Sequence, residues 1–337
     1  IRRRRDDVTG TLRCLSQYKH ACFKLLRLAL TAPRFDDEAV ARMKREQLTA
    51  ILQAQQSPRS LANEALMAMA FDGHPYGQAR NGTEESVAAI SAADIRTHYQ
   101  AMMARNNLHL AVVGDIDRAA LRRLMRDIFA QLPPSSRLPK AQQATMRNGP
   151  ISRHIERAGP QTSIVFAQKG LGHKHPLFFA DFVMNSILGG SGFSSRLTEQ
   201  VREARGLAYS VYSGTSNFGQ AAMWNGSVAS DNATAQQAMD VIRGEMGRIA
   251  NEPVSDARLA AAKTYLTGNY ALRFDSSAKI AEQLLGVQLN DWPIDYFTTR
   301  NANINAVTID DVQRAAQLLT PDRLLVVSVG GTAIALD

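Results

Sequence analysis

Cysteine is nearly absent from this chain: Cys14 and Cys22 are the only two in 337 residues. Both fall within the stretch RCLSQYKHAC, which excludes a disulfide framework and cannot gather the four ligands of a structural zinc site. The pair reads as two small buried hydrophobes, with a disulfide or redox pair as the competing reading. No apolar run reaches the ~18 residues of a membrane span. The opening IRRRRDDVTGTLRCLS has neither the apolar core of a secretory leader nor a helix start. It reads as taking up a domain partway through, so an upstream portion is expected. Beyond IRRRR the basic residues alternate with acids, and no aromatic stripe runs between them. The excess of 39 basic over 31 acidic residues, net +8, is therefore a generic basic surface and not a nucleic-acid interface.

What is present is ordinary globular material: 45% hydrophobic and 21% charged residues, enough for about two domains, each with its own core. Helical patterns cover about 16–32, 36–56 and 58–71, the last opening on Pro58 at a first helical position. NNLHLAVVGDID (106–117) predicts a strand closed by Gly114, followed by a helix over about 117–131. LPPSSRLPKAQQATMRNGP (132–150) has no periodicity and reads as a linker. Strands are then expected at about 152–157, 161–169, 208–216 and 221–230. Helices are expected at about 177–188, 232–250, 255–273 and 276–289, before a short helix and the final strand RLLVVSVGG.

An internal repeat divides the chain. AISAADIRTHYQAMMARNNLHLAVVGD is answered by AVTIDDVQRAAQLLTPDRLLVVSVGG, with Ser91/Asp94 and Thr308/Asp311 each placed as a capping box. The expectation is an α+β chain of two duplicated domains, 1–145 and 146–337. Each would hold a mainly antiparallel sheet with helices packed on one face.

Catalytic chemistry is hard to find. No two of the seven histidines are spaced i, i+4, and His173, His175 and His74 read as turn residues. No G-x-S-x-G elbow, P-loop or dinucleotide fingerprint occurs. GGSGFSSRL is a weak phosphate-cradle candidate, lacking a lysine and a preceding buried strand. The most organised stretch is GGSGFSSRLTEQVREARGLAYSVYSG (189–214): a glycine-rich turn, a charged helix stopped at Gly206, then an aromatic strand. Arg202 and Tyr209 bracket this junction. Spacing alone favours Tyr209 in the core, in line with Leu207 and Val211, and a solvated Arg202.

ILGGSGFSSRLTEQVREARGLAYSVYS resembles the second-domain motif of the pitrilysin/insulinase zinc peptidases, the inverzincins, which include mitochondrial processing peptidase. The resemblance extends over essentially the whole chain. TAPRFDDEAVARMKREQL, FDGHPYGQARNGTEESVAAISAADIRTHYQ and NNLHLAVVGDID are similar to the later part of that family's first domain. AAKTYLTGNY and VVSVGG are similar to parts of its second. The family's activity requires a His-x-x-Glu-His helix and a downstream glutamate as third zinc ligand. This sequence contains no His-x-x-Glu-His. Matching MKREQLTAILQAQQSP through Pro58 and HPYG puts Ala50 at the ligand position, with Glu46 one turn earlier. The resemblance thus implies a member without its own metal or cofactor.

Arg202 and Tyr209 match the family residue for residue, as groups that bind substrate and stabilise its transition state. The implied protein is a non-catalytic subunit that contributes this pair in trans. Its partner would be a homologous zinc-bearing subunit, the pair of chains would form a heterodimer, and the substrates would be peptides. Two alternatives stand beside it. One is a complete zinc peptidase whose metal helix lies upstream, which Ala50 opposes. The other is a scaffold relative, like core subunits of some respiratory complexes, which would have lost Arg202 and Tyr209. The compartment stays open between bacterial periplasm and cytoplasm.

Overall fold

A computed structural model describes residues 2–190 and 195–336 of the chain. In chain order it begins with a short antiparallel pair, β1 (Arg2–Arg3) and β2 (Val8–Thr9). Helices α1 (Lys19–Thr31), α2 (Asp37–Gln56), α3 (Pro58–Ala70), α4 (Glu84–Ala89), α5 (Ala92–Met102) and α6 (Arg118–Phe129) follow. Next come β3 (Ile151–Glu156), β4 (Gln161–Lys169), α7 (Phe178–Leu188), β5 (Val211–Asn217), β6 (Ala222–Asp231), α8 (Ala235–Asn251) and α9 (Asp256–Gly268). The chain closes with α10 (Ser277–Leu289), α11 (Tyr296–Ala306), α12 (Ile309–Ala316) and β7 (Leu325–Gly330). Packing divides it into two compact units that interleave along the sequence. The first comprises 1–50, 83–141 and 270–296; the second comprises 51–82, 142–269 and 297–337.

The second unit is built on a five-stranded sheet in the order β3-β7-β4-β6-β5, with β3–β7 parallel and the other pairs antiparallel. The run IVFA in β4 shows why this sheet lies between two layers. Side chains alternate across a strand, so Ile164 and Phe166 enter one core while Val165 and Ala167 enter another. On the first face lie the helices anticipated from the sequence, with Met184 and Ile187 of α7, Ile242 and Met246 of α8, and Val312 of α12 around Trp224. The second face is not bare, contrary to the one-sided expectation. Ala62, Ala65, Leu66 and Ala70 of α3 cover it, packing on Val327 and Val329. Each large apolar side chain buried in this way contributes roughly 1.5–3 kcal/mol.

The first unit is helical. Helix α1 packs on α6, and the Tyr99 hydroxyl of α5 donates to the carbonyls of Ala29 and Leu30, both at 3.1 Å, near the end of α1. The strand expected at 106–117 does not form. A 3-10 turn (Arg105–Asn107) precedes residues 108–113, which form no strand, and no strand among the described residues pairs with them. A β-branched sequence becomes a strand only where a neighbour takes its N–H and C=O groups. The antiparallel sheet expected in the first half is therefore limited to β1 and β2 among the described residues. The helical parts of the repeat do form: Ser91–Asp94 and Thr308–Asp311 both make reciprocal capping boxes, on α5 and α12.

Two further corrections arise here. Helix α11 was not anticipated, because FTTRNANIN lacks a clear apolar period. It is held by buried Arg300, which donates to the Leu266 carbonyl at 3.3 Å and lies 5.5 Å over the Phe182 ring. The cysteines are not core residues either: Cys14 is exposed and Cys22 half-buried. No helix among the described residues is long and apolar enough to cross a membrane.

Candidate functional site

The junction between α7 and β5 is assembled from the second unit's core outward. The Ser195 hydroxyl accepts the Thr198 N–H at 3.3 Å and starts a helical segment. Leu197 and Val201 turn inward and are wholly buried. Arg196 donates to buried Glu245 of α8 at 2.7 Å, and Arg248 reaches the other carboxylate oxygen at 3.2 Å. On the outer side Arg258 of α9 pairs with Glu199 at 2.8 Å, while Arg205 donates to the Gln200 side chain at 2.7 Å. The glycine-rich turn proposed as a phosphate cradle falls largely on residues 191–194, outside the described residues.

The helix foreseen after this turn is π-helical over Thr198–Glu203, with the Ala204 N–H bonded to the Glu199 carbonyl five residues back at 2.9 Å. Such segments are rare and are enriched at functional sites. The segment ends at Gly206, whose φ of +61° is the left-handed conformation that side chains with a Cβ resist. The Gly206 N–H bonds the Arg202 carbonyl at 3.0 Å and the Leu207 N–H bonds the Val201 carbonyl at 2.8 Å. Leu207 is buried and its carbonyl accepts the Ser230 hydroxyl at 2.6 Å, fixing the start of the outgoing chain.

This turn brings Arg202 and Tyr209 together. The Arg202 guanidinium carbon lies 5.3 Å from the centre of the Tyr209 ring, within cation–π range. Tyr209 is 85% exposed. The core placement that spacing favoured is therefore wrong for Tyr209. Residues 207–210 precede β5, so strand alternation does not carry from Leu207 through Tyr209 to Val211.

Beneath the junction lies a buried polar column that sequence reasoning missed. Asn185 Oδ1 of α7 accepts both the Ser213 hydroxyl and the Trp224 indole N–H at 2.9 Å, and its amide donates to the Ser213 carbonyl at 3.2 Å. The Ser213 N–H bonds the Gly189 carbonyl at 2.7 Å. One turn before Asn185, buried Asp181 accepts the Thr215 hydroxyl at 3.0 Å on Oδ2, while its Oδ1 has no partner among the described residues. Burial raises the Asp181 pKa from 3.8 to about 6, opposed by the Thr215 hydrogen bond. The i, i+4 placement of Asp181 and Asn185 was visible in the sequence; their facing Thr215 and Ser213 was not.

The histidines behave as turn and strand residues. His74 accepts the Tyr76 N–H at 3.1 Å, and His175 accepts the Leu177 N–H at 3.1 Å. His154 bonds the Ser328 hydroxyl at 2.8 Å and Glu156 at 3.0 Å, the order of a hydrolytic triad. Ser328 is wholly buried, so its hydroxyl cannot meet a substrate, and the row ties β3 to β7. On α2, Ala50 offers only a methyl group, and Glu46 is exposed with Arg42 at 3.9 Å. Among the described residues no three of His, Cys, Asp and Glu converge as metal ligands. This donor set does not fit a zinc ion.

Comparison with known proteins places the same region in context. Residues 89–266 match the family model described as the peptidase M16 inactive domain. An uncharacterized zinc protease of Streptomyces coelicolor is 27% identical over 86% of this chain. The chain spans 64% of that relative, under two thirds of its length. A non-peptidase homolog from Helicobacter pylori is 25% identical over 92% of this chain and 69% of its own. Among solved structures, the peptidase M16 inactive domain from Pseudomonas fluorescens superposes with a TM-score of 0.87 at 27% identity, covering 95% of this chain and 76% of that one.

Proposed function

This chain belongs to the peptidase M16 family, and on that premise we propose that it is the zinc-free subunit of a heterodimeric metallopeptidase. The observation that carries the reading is the Arg202–Tyr209 pair: a stacked cation and phenol at 5.3 Å, presented to solvent by a π-helical turn anchored in the core. A solvent-facing tyrosine gives little to folding, so its placement calls for a role at the surface.

The chemistry suits peptide hydrolysis. Arg202 is a source of charge-assisted hydrogen bonds to substrate carbonyls, and the Tyr209 hydroxyl is a donor for the oxyanion that develops as an amide is attacked. Attack itself needs a group this chain does not carry, given Ala50 and the missing His-x-x-Glu-His. The zinc therefore belongs to a homologous partner subunit, with this chain contributing its pair in trans. The repeat of 1–145 in 146–337 is part of the same proposal, a duplicated chain meeting a duplicated partner.

The test is co-expression with a zinc-bearing M16 homologue from the same source, followed by co-purification, metal analysis of each separated chain and a peptidase assay. Zinc is expected with the partner alone and activity only in the complex. About one tightly held zinc per isolated copy of this chain would overturn the reading, since structural zinc binding of ~10 kcal/mol or more leaves no ambiguity. A complex whose rate ignores both Tyr209→Phe and Arg202→Ala would leave the chain a scaffold.

A further inference from the structure

The fold gives Cys14 and Cys22 no packing role. Cys14 is exposed in the segment ahead of α1, and Cys22 is the fourth residue of α1 and only half-buried. No residue between 3 and 36 is fully buried, so neither thiol sits in a core. A 3-10 turn at Ser16–Tyr18 folds the segment back on the helix. The two side chains consequently meet in a hydrogen bond across that turn. Two solvent-reachable sulfurs in contact, in a chain with no other cysteine, form a ready site for oxidation.

We propose that Cys14 and Cys22 form a reversible intramolecular disulfide by exchange with a small-molecule disulfide such as oxidised glutathione. The contact also assigns the order of events. Its hydrogen bond is the main cause that raises the Cys22 pKa, followed by burial and the charge on Cys14, so Cys22 keeps its proton while Cys14 is the thiolate. Cys14 is also the exposed member, and Arg13 and Lys19 lie close in sequence.

In the first step the Cys14 thiolate attacks one sulfur of oxidised glutathione. The glutathione S–S bond breaks, a Cys14–glutathione bond forms, and one glutathione thiolate leaves. In the second step Cys22 gives its proton to that thiolate and attacks Cys14 Sγ, expelling the second glutathione, which takes its proton from solvent. The net reaction converts two protein thiols and one oxidised glutathione into one protein disulfide and two reduced glutathiones. Two electrons pass from the protein to glutathione. Closing a bond of ~2.05 Å from a hydrogen-bonded contact asks only for a small movement of the exposed segment before α1. The product pins that segment to the helix that packs on α6.

The experiment incubates the full chain in buffers of stepped oxidised-to-reduced glutathione ratio, followed by intact mass, free-thiol titration and a non-reducing tryptic map. Cleavage after Arg13, Lys19 and Lys24 separates the two cysteines. Residues 14–19 (CLSQYK) and 20–24 (HACFK) are then expected as one disulfide-linked pair, from a monomer lighter by two hydrogens and restored by dithiothreitol. Cys22→Ser should accumulate the glutathione adduct on Cys14 faster than Cys14→Ser does on Cys22. Independent glutathione adducts on both cysteines, covalent dimers, or two free thiols at every ratio would overturn the proposal.

Discussion

Arg202 lies 5.3 Å over the ring of Tyr209, yet Tyr209 itself is 85% exposed. The two residues are joined by a turn whose every anchor is buried or backbone-bonded: Val201 and Leu207 inward, Gly206 at the left-handed cap, Ser230 on the Leu207 carbonyl. Rigidity sits under the pair and accessibility above it, the division expected of groups that must meet a ligand in a fixed pose.

In the complex with a zinc-bearing partner, Tyr209→Phe removes one oxyanion donor and is expected to lower kcat by roughly 10²–10³-fold. Arg202→Ala should also raise KM, because the guanidinium can hold carbonyls in the ground state. Thermal melts provide the control. Even Tyr209→Ala should leave Tm nearly unchanged, whereas truncating a buried aromatic would cost ~3–5 kcal/mol.

Gly206→Ala puts a Cβ on a residue at φ +61° and is expected to cost about 1–2 kcal/mol in urea unfolding. Gly206→Asn should cost less, since asparagine visits this region more readily. Equal losses from both variants would show that something other than backbone conformation sets the cost.

Glu245 is a buried carboxylate held between Arg196 and Arg248. Glu245→Ala should destabilise by roughly 3–5 kcal/mol, because it strands the largely buried Arg196 without a counter-charge. Arg248→Ala, on the solvent side of the same carboxylate, should stay within about 1 kcal/mol. Urea midpoints of the two variants compare them directly.

Asp181 gives stability a pH slope. Its folded pKa of about 6 is raised above the ordinary 3.8, chiefly by burial, so the folded state holds the proton more tightly than the unfolded state. The contribution is fully present below about 3.8 and is lost as pH rises through about 6. A shift of this size corresponds to about 3 kcal/mol, to order of magnitude. Asp181→Asn should flatten the slope across that window and gain on the wild type toward neutral pH. A parallel pH profile for the two proteins would refute this.

Much of the architecture is written locally. Pro58 starts α3, Ser91/Asp94 and Thr308/Asp311 cap α5 and α12, and the unbroken apolar run of β4 marks a strand buried on both faces. These signals read correctly because capping, proline geometry and hydrophobic period act within a few residues. The motif around Arg202 and Tyr209 was equally legible, and with it the family.

Tertiary structure decided the rest, wherever the outcome depended on partners distant in sequence. Residues 108–113 have strand-like composition and form no strand, because none lies alongside to take their backbone groups. Helix α11 exists because Arg300 finds the Leu266 carbonyl and the Phe182 ring, which no local period announces. Cys14 and Cys22 meet at the surface and not in a core because a single 3-10 turn reverses the chain between them. The sequence by itself determined which residues would flank the Gly206 turn. Only the fold, by widening one turn to π geometry and burying Leu207, decided that Tyr209 faces solvent beneath the Arg202 guanidinium.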